Sequence, residues 1–386
     1  MAKARKGSSI QKTISILAYG EKGTWKSSLG CEALALKRHD GKPMRVLIID
    51  SEFGGVDSAL EMKAEKYGFD PDNAWVVYTE SYSEILGLLD KVKSKECFYT
   101  YDDDGNETEE VVLDADGEEF HPDFIVLDGT TVVYNASSIA KVKFSERRAR
   151  VKAKLSEKSA EETLVAVQGA DLEFKDYKKL NVEMSQELIL KLISTGVHHY
   201  ITARETDEKE KTKVLDPITN KYKTENVPTG RKIPEGFKDM EYNAGTVMRL
   251  FVNEFGNVNA EIINKDRTGV YEPNSIIEEP TLLAYQQIID GNKGKKKVDV
   301  NPTFKESIDK EFEKELEDNN ISVNKNNEND MSPEDYHNEI KSILSSMQPS
   351  KKKLVGGKLK DKGYPMKYTE MTDIEQLKDY LTILKS

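Results

Sequence analysis

Cysteine and histidine are scarce in this chain, and the scarcity removes several classes of function at once. Two cysteines, Cys31 and Cys97, give neither a disulfide framework nor a metal-ligand spacing, and five histidines in 386 residues leave little to build a zinc site from. A reducing compartment is expected for such a chain. No apolar run approaches the roughly 18 residues that a membrane-spanning helix needs. The amino terminus Met1-Ala2-Lys3-Ala4-Arg5-Lys6 also lacks the apolar core of a secretory leader, so a cytoplasmic protein with no membrane partner is expected. An excess of positive charge is missing too. With 57 Lys and Arg against 69 Asp and Glu the net charge is −12, which excludes a generally basic nucleic-acid coat and confines any nucleic-acid contact to local patches.

What is present centres on Gly20-Glu21-Lys22-Gly23-Thr24-Trp25-Lys26-Ser27-Ser28. Before it, Thr13 to Ala18 runs apolar like a short buried strand; after it, Leu29 to Lys37 carries helix formers with apolar residues at helical spacing. Strand, Gly-containing loop and helix are the context of a phosphate-binding loop, in which loop amides and the first helical turn converge on an anion. Lys26 would then reach the β- and γ-phosphates, and the Ser27 hydroxyl would help to coordinate Mg²⁺. The pattern G-x-x-x-x-G-K-[ST] fails at one position, because Trp25 stands where the last glycine belongs. The alternative is an ordinary strand-to-helix turn that happens to contain a lysine.

Further along, Arg45 to Asp50 is a continuous apolar run ending in an acid, as in a parallel strand covered on both faces, and Ser51-Glu52-Phe53-Gly54-Gly55 follows it. Helices are expected at Val56–Tyr67 and Ser83–Lys95 with a strand at Ala74–Tyr78 between them. An acidic hairpin inserted over 99–120 is marked by the turns Asp104-Gly105 and Asp116-Gly117. Phe124 to Asp128 is a second apolar run with a terminal aspartate, a common pattern on its own and a Mg²⁺-holding one after a phosphate loop. A helical insertion over about 136–170 is strongly basic between Lys141 and Lys154, with Glu146 the only acid there; a nucleic-acid stripe and a solvated helix face both fit it. Leu172–Ser194 reads as a helix and His198–Ala203 as a strand, with the His198-His199 pair structural.

Thr206–Asp239 reads as a long polar loop, whose Lys209, Lys211, Lys213, Lys221, Lys223, Arg231 and Lys232 could touch a phosphate backbone. Ala244–Asn253, Asn259–Asn264 and Val270-Tyr271 resemble closing strands, with Lys265 to Gly269 as a cationic turn. A flexible charged linker is expected over 286–331, rich in Lys, Asn, Glu and Asp. A small helical module is expected over 332–386, opened by the cap Ser332-Pro333-Glu334-Asp335.

Taken in order, these elements resemble the RecA-like ATPase core, and in particular the compact RecA-like ATPases of bacteriophages associated with single-strand annealing recombination. The resemblance covers roughly residues 10 to 285. It implies an α/β fold, a RecA-like P-loop NTPase core with a mostly parallel sheet flanked by helices. It also implies ATP and Mg²⁺ as ligands, Glu52 as the residue that activates the attacking water, Asp128 and Ser27 at the metal, and Arg204 as a γ-phosphate sensor. By the same resemblance Lys265 and Arg267 match a K-x-R element that reaches into a neighbouring subunit's site, and Lys221, Lys223, Arg231 and Lys232 fall in the segment that touches DNA in recombinases. The expectation is a phage-encoded ATPase that acts on single-stranded DNA as a homo-oligomeric ring or filament, meeting replication or recombination proteins through its carboxyl-terminal module. A hexameric helicase or other nucleic-acid motor, and a nucleotide-gated binding module with little hydrolysis, are the competing expectations.

Overall fold

A computed structural model describes residues 11–295, apart from 103 and 216–221, and, further on, isolated positions from 336 to 373 and the helix Ile374–Lys385. The chain divides into two compact units, Met1–Ser307 and Ile308–Ser386.

The first unit is built on a nine-stranded sheet. Its strands are β1 (Ser15–Gly20), β2 (Val46–Asp50), β3 (Ala74–Tyr78), β6 (Phe124–Asp128), β7 (His198–Leu215), β8 (Tyr222–Pro234), β9 (Thr246–Val252), β10 (Val258–Asp266) and β11 (Ile276–Glu278). The order is β11-β10-β9-β1-β7-β6-β2-β3, with β8 paired to β7 alone. The pairs from β3 through β9 are parallel, and β10 and β11 close that edge antiparallel. The apolar runs form the central strands because both faces are covered. Leu17, Tyr19, Leu47, Ile49, Ile125 and Leu127 point into one core, and Ile16, Ala18, Val46, Ile48, Phe124 and Val126 into the other.

Helices α1 (Lys26–Cys31), α2 (Asp57–Tyr67) and α3 (Tyr82–Ser94) connect the first strands, and α4 (Thr130–Leu155), α5 (Ala160–Gln168), α6 (Phe174–Val182) and α7 (Ile189–Ser194) lie between β6 and β7. Short helices α8 (Met240–Asn243) and α9 (Gln286–Asp290) follow. The inserted hairpin over 99–120 is present as β4 (Tyr99–Tyr101) and β5 (Glu107–Val111), paired antiparallel apart from the main sheet.

Four expectations are corrected. The helix after the central loop is shorter than Leu29–Lys37, since α1 gives way to a 3-10 turn at Glu32–Ala35 whose Glu32 turns inward. The helix expected over Leu172–Ser194 is interrupted between α6 and α7 by a π segment, Glu183–Leu188. The segment read as a long loop is a β-ribbon: β7 runs far past the sheet edge and pairs with β8 from Glu205↔Pro234 to Leu215↔Tyr222. Its polar side chains hid the ribbon, because a two-stranded ribbon standing in solvent has no buried face to impose an apolar alternation. The last closing strand is β11, not Val270-Tyr271, and β10 continues to Asp266.

The first unit also continues past residue 285, with Ile288 and Ile289 of α9 buried in its core. Most of the linker expected over 286–331, and the cap at Ser332–Asp335, lie outside the described residues. In the second unit Tyr336, Ile340, Val355, Leu359, Met371, Leu377, Tyr380, Leu381 and Leu384 form a core against α10 (Ile374–Lys385). Tyr364 caps it with a hydrogen bond to Asp379 Oδ2 at 2.6 Å. No helix among the described residues is long and apolar enough to cross a membrane.

Candidate functional site

Parallel pairing brings Gly20 of β1, Arg204 of β7, Asp128 of β6 and Asp50 of β2 together at one rim, where a single cavity opens beside Gly20, Arg204 and the turn at Glu52 that follows β2. Its volume is about 760 Å³, and it is lined by Gly20, Glu21, Lys22, Gly23, Trp25, Lys26, Ser27, Ser28, Glu52, Gly55, Arg204, Glu205 and Glu235.

The loop from Gly20 to Ser28 leaves β1 under tight steric control. A Cβ on Gly20 would lie 2.1 Å from the Leu250 carbonyl oxygen, so only glycine lets β1 and β9 pair here. Thr24 Oγ1 donates to Glu21 O at 2.8 Å and closes the loop on itself. Lys26 Nζ folds back over the loop and donates to Gly20 O at 3.0 Å, Glu21 O at 2.7 Å and Thr24 Oγ1 at 3.3 Å. Burial pulls the Lys26 pKa down, with Glu52 and Asp128 opposing. Trp25 does not block the loop. It takes the left-handed conformation, φ 62° and ψ 27°, that a glycine would take, and turns its indole outward.

Asp128 ends β6 and is buried. Thr202, from the neighbouring strand β7, donates its Oγ1 hydrogen to Asp128 Oδ1 at 2.5 Å while accepting the Gly129 N–H at 2.7 Å. The other carboxylate oxygen, Oδ2, has no hydrogen-bond partner among the described residues. Desolvation raises the Asp128 pKa, the Thr202 and Ser27 hydroxyls lower it, and Asp50 and Glu52 add to the rise. A Cβ on Gly55 would stand 3.5 Å from Ser27 Oγ and 3.6 Å from Asp128 Oδ2, so the two oxygens face one small space that Gly55 keeps open.

Asp50, at the end of β2, shapes the next turn by accepting Glu52 N at 2.9 Å and Gly54 N at 3.0 Å. Glu52 thereby reaches across to Arg204, whose Nε and Nη2 both donate to Glu52 Oε1 at 3.1 Å. Gly129 makes room for it: a Cβ there would come within 2.8 Å of Glu52 Cγ, and its φ of 91° suits glycine. Beside this pair, Glu205 takes the Arg249 Nε hydrogen at 3.0 Å. Chemically, Lys22, Lys26 and Arg204 can hold a polyanion, while the Ser27 hydroxyl and Asp128 Oδ2 form an oxygen-only donor set suited to a hard divalent cation.

No protein-family model matches this chain, and no curated protein matches it.

Of the residues expected at the site, Gly20 to Ser28, Glu52, Asp128 and Arg204 converge. Lys265 and Arg267 do not line the cavity; Lys265 Nζ donates to Tyr242 O at 3.0 Å, and burial followed by the nearby Arg267 charge lowers its pKa. The candidate DNA contacts divide. Lys223 pairs with Glu225 at 2.8 Å, Arg231 with Glu241 at 3.0 Å, and Lys232 with Asp207 at 3.0 Å, whereas Lys221 lies outside the described residues. Strand alternation puts Lys209, Lys211 and Lys213 on one face of the ribbon together with Tyr222, Thr224 and Asn226. On the basic helix α4, Lys141 is taken by Glu183 at 2.7 Å and Arg148 by Asp176 at 2.5 Å.

Sequence reasoning did not single out Gly55, Thr131, Glu205 or Glu235. Thr131 Oγ1 donates to Glu235 O at 2.8 Å and accepts the Arg204 N–H at 3.0 Å, a contact across some 70 to 100 residues that no local pattern signals.

Proposed function

We propose that this chain binds ATP with Mg²⁺ and hydrolyses it on a RecA-like P-loop core, as a homo-oligomer acting on single-stranded DNA. The observation that carries the reading is the buried Asp128 Oδ2, which no hydrogen bond of ordinary geometry among the described residues satisfies and which faces the Ser27 hydroxyl beside the Lys26 loop, since an under-satisfied buried carboxylate oxygen suits a cation. In this reading Lys26 exchanges its loop carbonyls for phosphate oxygens, and Ser27 and Asp128 hold the metal. Bound Mg²⁺ would neutralise charge on the phosphate oxygens. Glu52 orients and deprotonates the attacking water. Arg204 holds Glu52 until a γ-phosphate competes for its guanidinium, which would couple arrival of the triphosphate to release of the base.

Lys265 and Arg267, absent from their own cavity, would serve the site of an adjacent protomer and neutralise charge in the transition state. Exposed Leu155, Leu164, Val165 and Phe174 on α4 to α6 supply apolar surface for a ring or filament contact. The lysine face of the ribbon, with exposed Tyr222 near its tip, would follow a single strand by phosphate contact and base stacking.

The test is ATP hydrolysis by the full chain, with and without single-stranded DNA, beside Lys26→Ala. DNA-stimulated turnover lost in the variant is expected. Turnover that survives Lys26→Ala would overturn the assignment. ATP binding without turnover would favour the nucleotide-gated module, for which the Glu52–Arg204 pair is the supporting observation.

A further inference from the structure

A second cavity adjoins the first. Its volume is about 630 Å³, and Trp25 and Ser28 line both. The second cavity has an aliphatic part, from Leu29, Leu250, Val258, Pro280 and Leu283, and a polar part that includes Glu32, Lys63, Lys66, Asn257 and Glu279.

Three observations set Trp25 apart from a packing residue. It belongs to neither core of the first unit and is 55% exposed. It holds a left-handed backbone conformation that a glycine adopts freely and a bulky side chain adopts at a strain. And it lines both cavities, as Ser28 beside it does.

The opposite wall is fixed by a buried network. Glu32 accepts from Thr281 Oγ1 at 2.7 Å, from Leu282 N at 3.0 Å and from Tyr67 OH at 3.1 Å, and is paired with Lys63. These bonds pin the segment bearing Pro280 and Leu283 onto the 3-10 turn after α1 and onto α2, so the cavity is held open by covalently distant elements and not by a loose loop.

We infer that the second cavity receives the nucleobase of the bound triphosphate, a purine, stacked on the Trp25 indole. The inference rests on the phosphate-loop reading above and names where the other end of that ligand lies. A polyphosphate held at Lys26 leaves the first cavity past Trp25 and Ser28, and a flat heteroaromatic ring fits between an exposed indole and the aliphatic side chains of Leu29, Leu250, Val258, Pro280 and Leu283, with polar side chains at hand for its ring nitrogens. The larger purine ring covers more of the indole than a pyrimidine does. The tryptophan that breaks the phosphate-loop pattern is therefore a specificity device for the base.

The chain holds only two tryptophans, so Trp75→Phe leaves Trp25 as the sole tryptophan emitter. Mg²⁺ complexes of ATP, GTP, CTP and tripolyphosphate are titrated into it with fluorescence as readout, and into the wild type and Trp25→Gly by calorimetry. The expected result is quenching of Trp25 by ATP and GTP and none by tripolyphosphate. Trp25→Gly, whose backbone conformation glycine accepts, should lose about tenfold or more in affinity for ATP relative to any change in its affinity for tripolyphosphate.

The inference is overturned if ATP binds in a Lys26-dependent way while Trp25 emission is unchanged, or if Trp25→Gly binds ATP as tightly as the wild type. In either case the base lies elsewhere and the phosphate-loop reading stands. CTP binding as tightly as ATP would overturn the purine assignment. A wild type that binds neither ATP nor tripolyphosphate would remove the phosphate-loop reading and this inference together. The calorimetric arm needs only the native tryptophan pair, so it decides the question even if Trp75→Phe fails to fold.

Discussion

Thr202→Val is the substitution that tests the site most directly. Valine keeps the β-branch and nearly the volume of threonine, so no cavity opens in β7. What disappears is one buried hydroxyl that donates to Asp128 Oδ1 at 2.5 Å and accepts the Gly129 N–H at 2.7 Å. A hydrogen bond to a charged group contributes about 1.5–3 kcal/mol, and a buried amide left without an acceptor costs about 1–3 kcal/mol. The expected loss is therefore about 3–5 kcal/mol at neutral pH, a large part of the roughly 5–15 kcal/mol that holds a domain folded.

The loss should grow with pH. Burial already raises the Asp128 pKa, and the Thr202 bond is the first force opposing that rise. A carboxyl with a raised folded pKa stabilises the fold below its unfolded value and forfeits that stability as pH climbs through the folded one. Without Thr202 the folded pKa climbs further, so the variant should trail the wild type near pH 4 by the amide's cost alone, about 1–3 kcal/mol, and fall further behind by pH 8. Mg²⁺ should restore part of the difference at the higher pH. Urea midpoints across that range are the assay. A loss below about 1 kcal/mol at pH 8, or one independent of pH, would refute the reasoning.

Acid should destabilise the fold through His199, which burial holds at a pKa of about 4 against an ordinary 6.5. The unfolded chain takes up a proton that the native state refuses, so about 3 kcal/mol is lost as pH falls from 6.5 to 4, and His199→Gln should flatten that part of the stability curve. Gly20→Ala drives a methyl into the Leu250 carbonyl at 2.1 Å and should cost at least about 3 kcal/mol in thermal or urea unfolding. Glu52→Gln should bind ATP at least as tightly as the wild type, since Arg204 is released from its carboxylate, and lose hydrolysis, as read by calorimetry beside a phosphate-release assay; normal turnover would remove Glu52 as the base. Replacing Lys209, Lys211 and Lys213 with glutamine should weaken single-stranded DNA binding and lower the slope of log affinity against log salt by about 2. An unchanged slope would take the ribbon out of the DNA path.

Much of the site was legible because it is local. Gly20 to Ser28 is a contiguous loop, and Glu52 and Asp128 stand at the ends of apolar runs whose length and Val/Ile content already mark buried strands. The same runs carry the parallel sheet and the two cores, since alternation within them assigns each residue to a face. Where the sequence misled, a different force was in control. The ribbon of 205–215 and 222–234 is held by backbone ladder bonds between polar strands, which leave no periodic apolar mark. Helix α1 ends early because Glu32 bonds to Thr281 and Leu282, some 250 residues away.

The sequence by itself determined which residues could carry charge to an anion and a metal, and where the strands that present them lie. Only the tertiary structure decided how they meet. Strand β7 inserts between β1 and β6, so that Thr202 locks Asp128 and Arg204 clasps Glu52. The fold likewise carries Lys265 and Arg267 away from the cavity and opens a second cavity behind Trp25. The physical reason is range. Propensity and hydrophobic period act over a few residues, whereas strand order and the pairing of buried polar groups are fixed by contacts between distant segments that must all be satisfied at once.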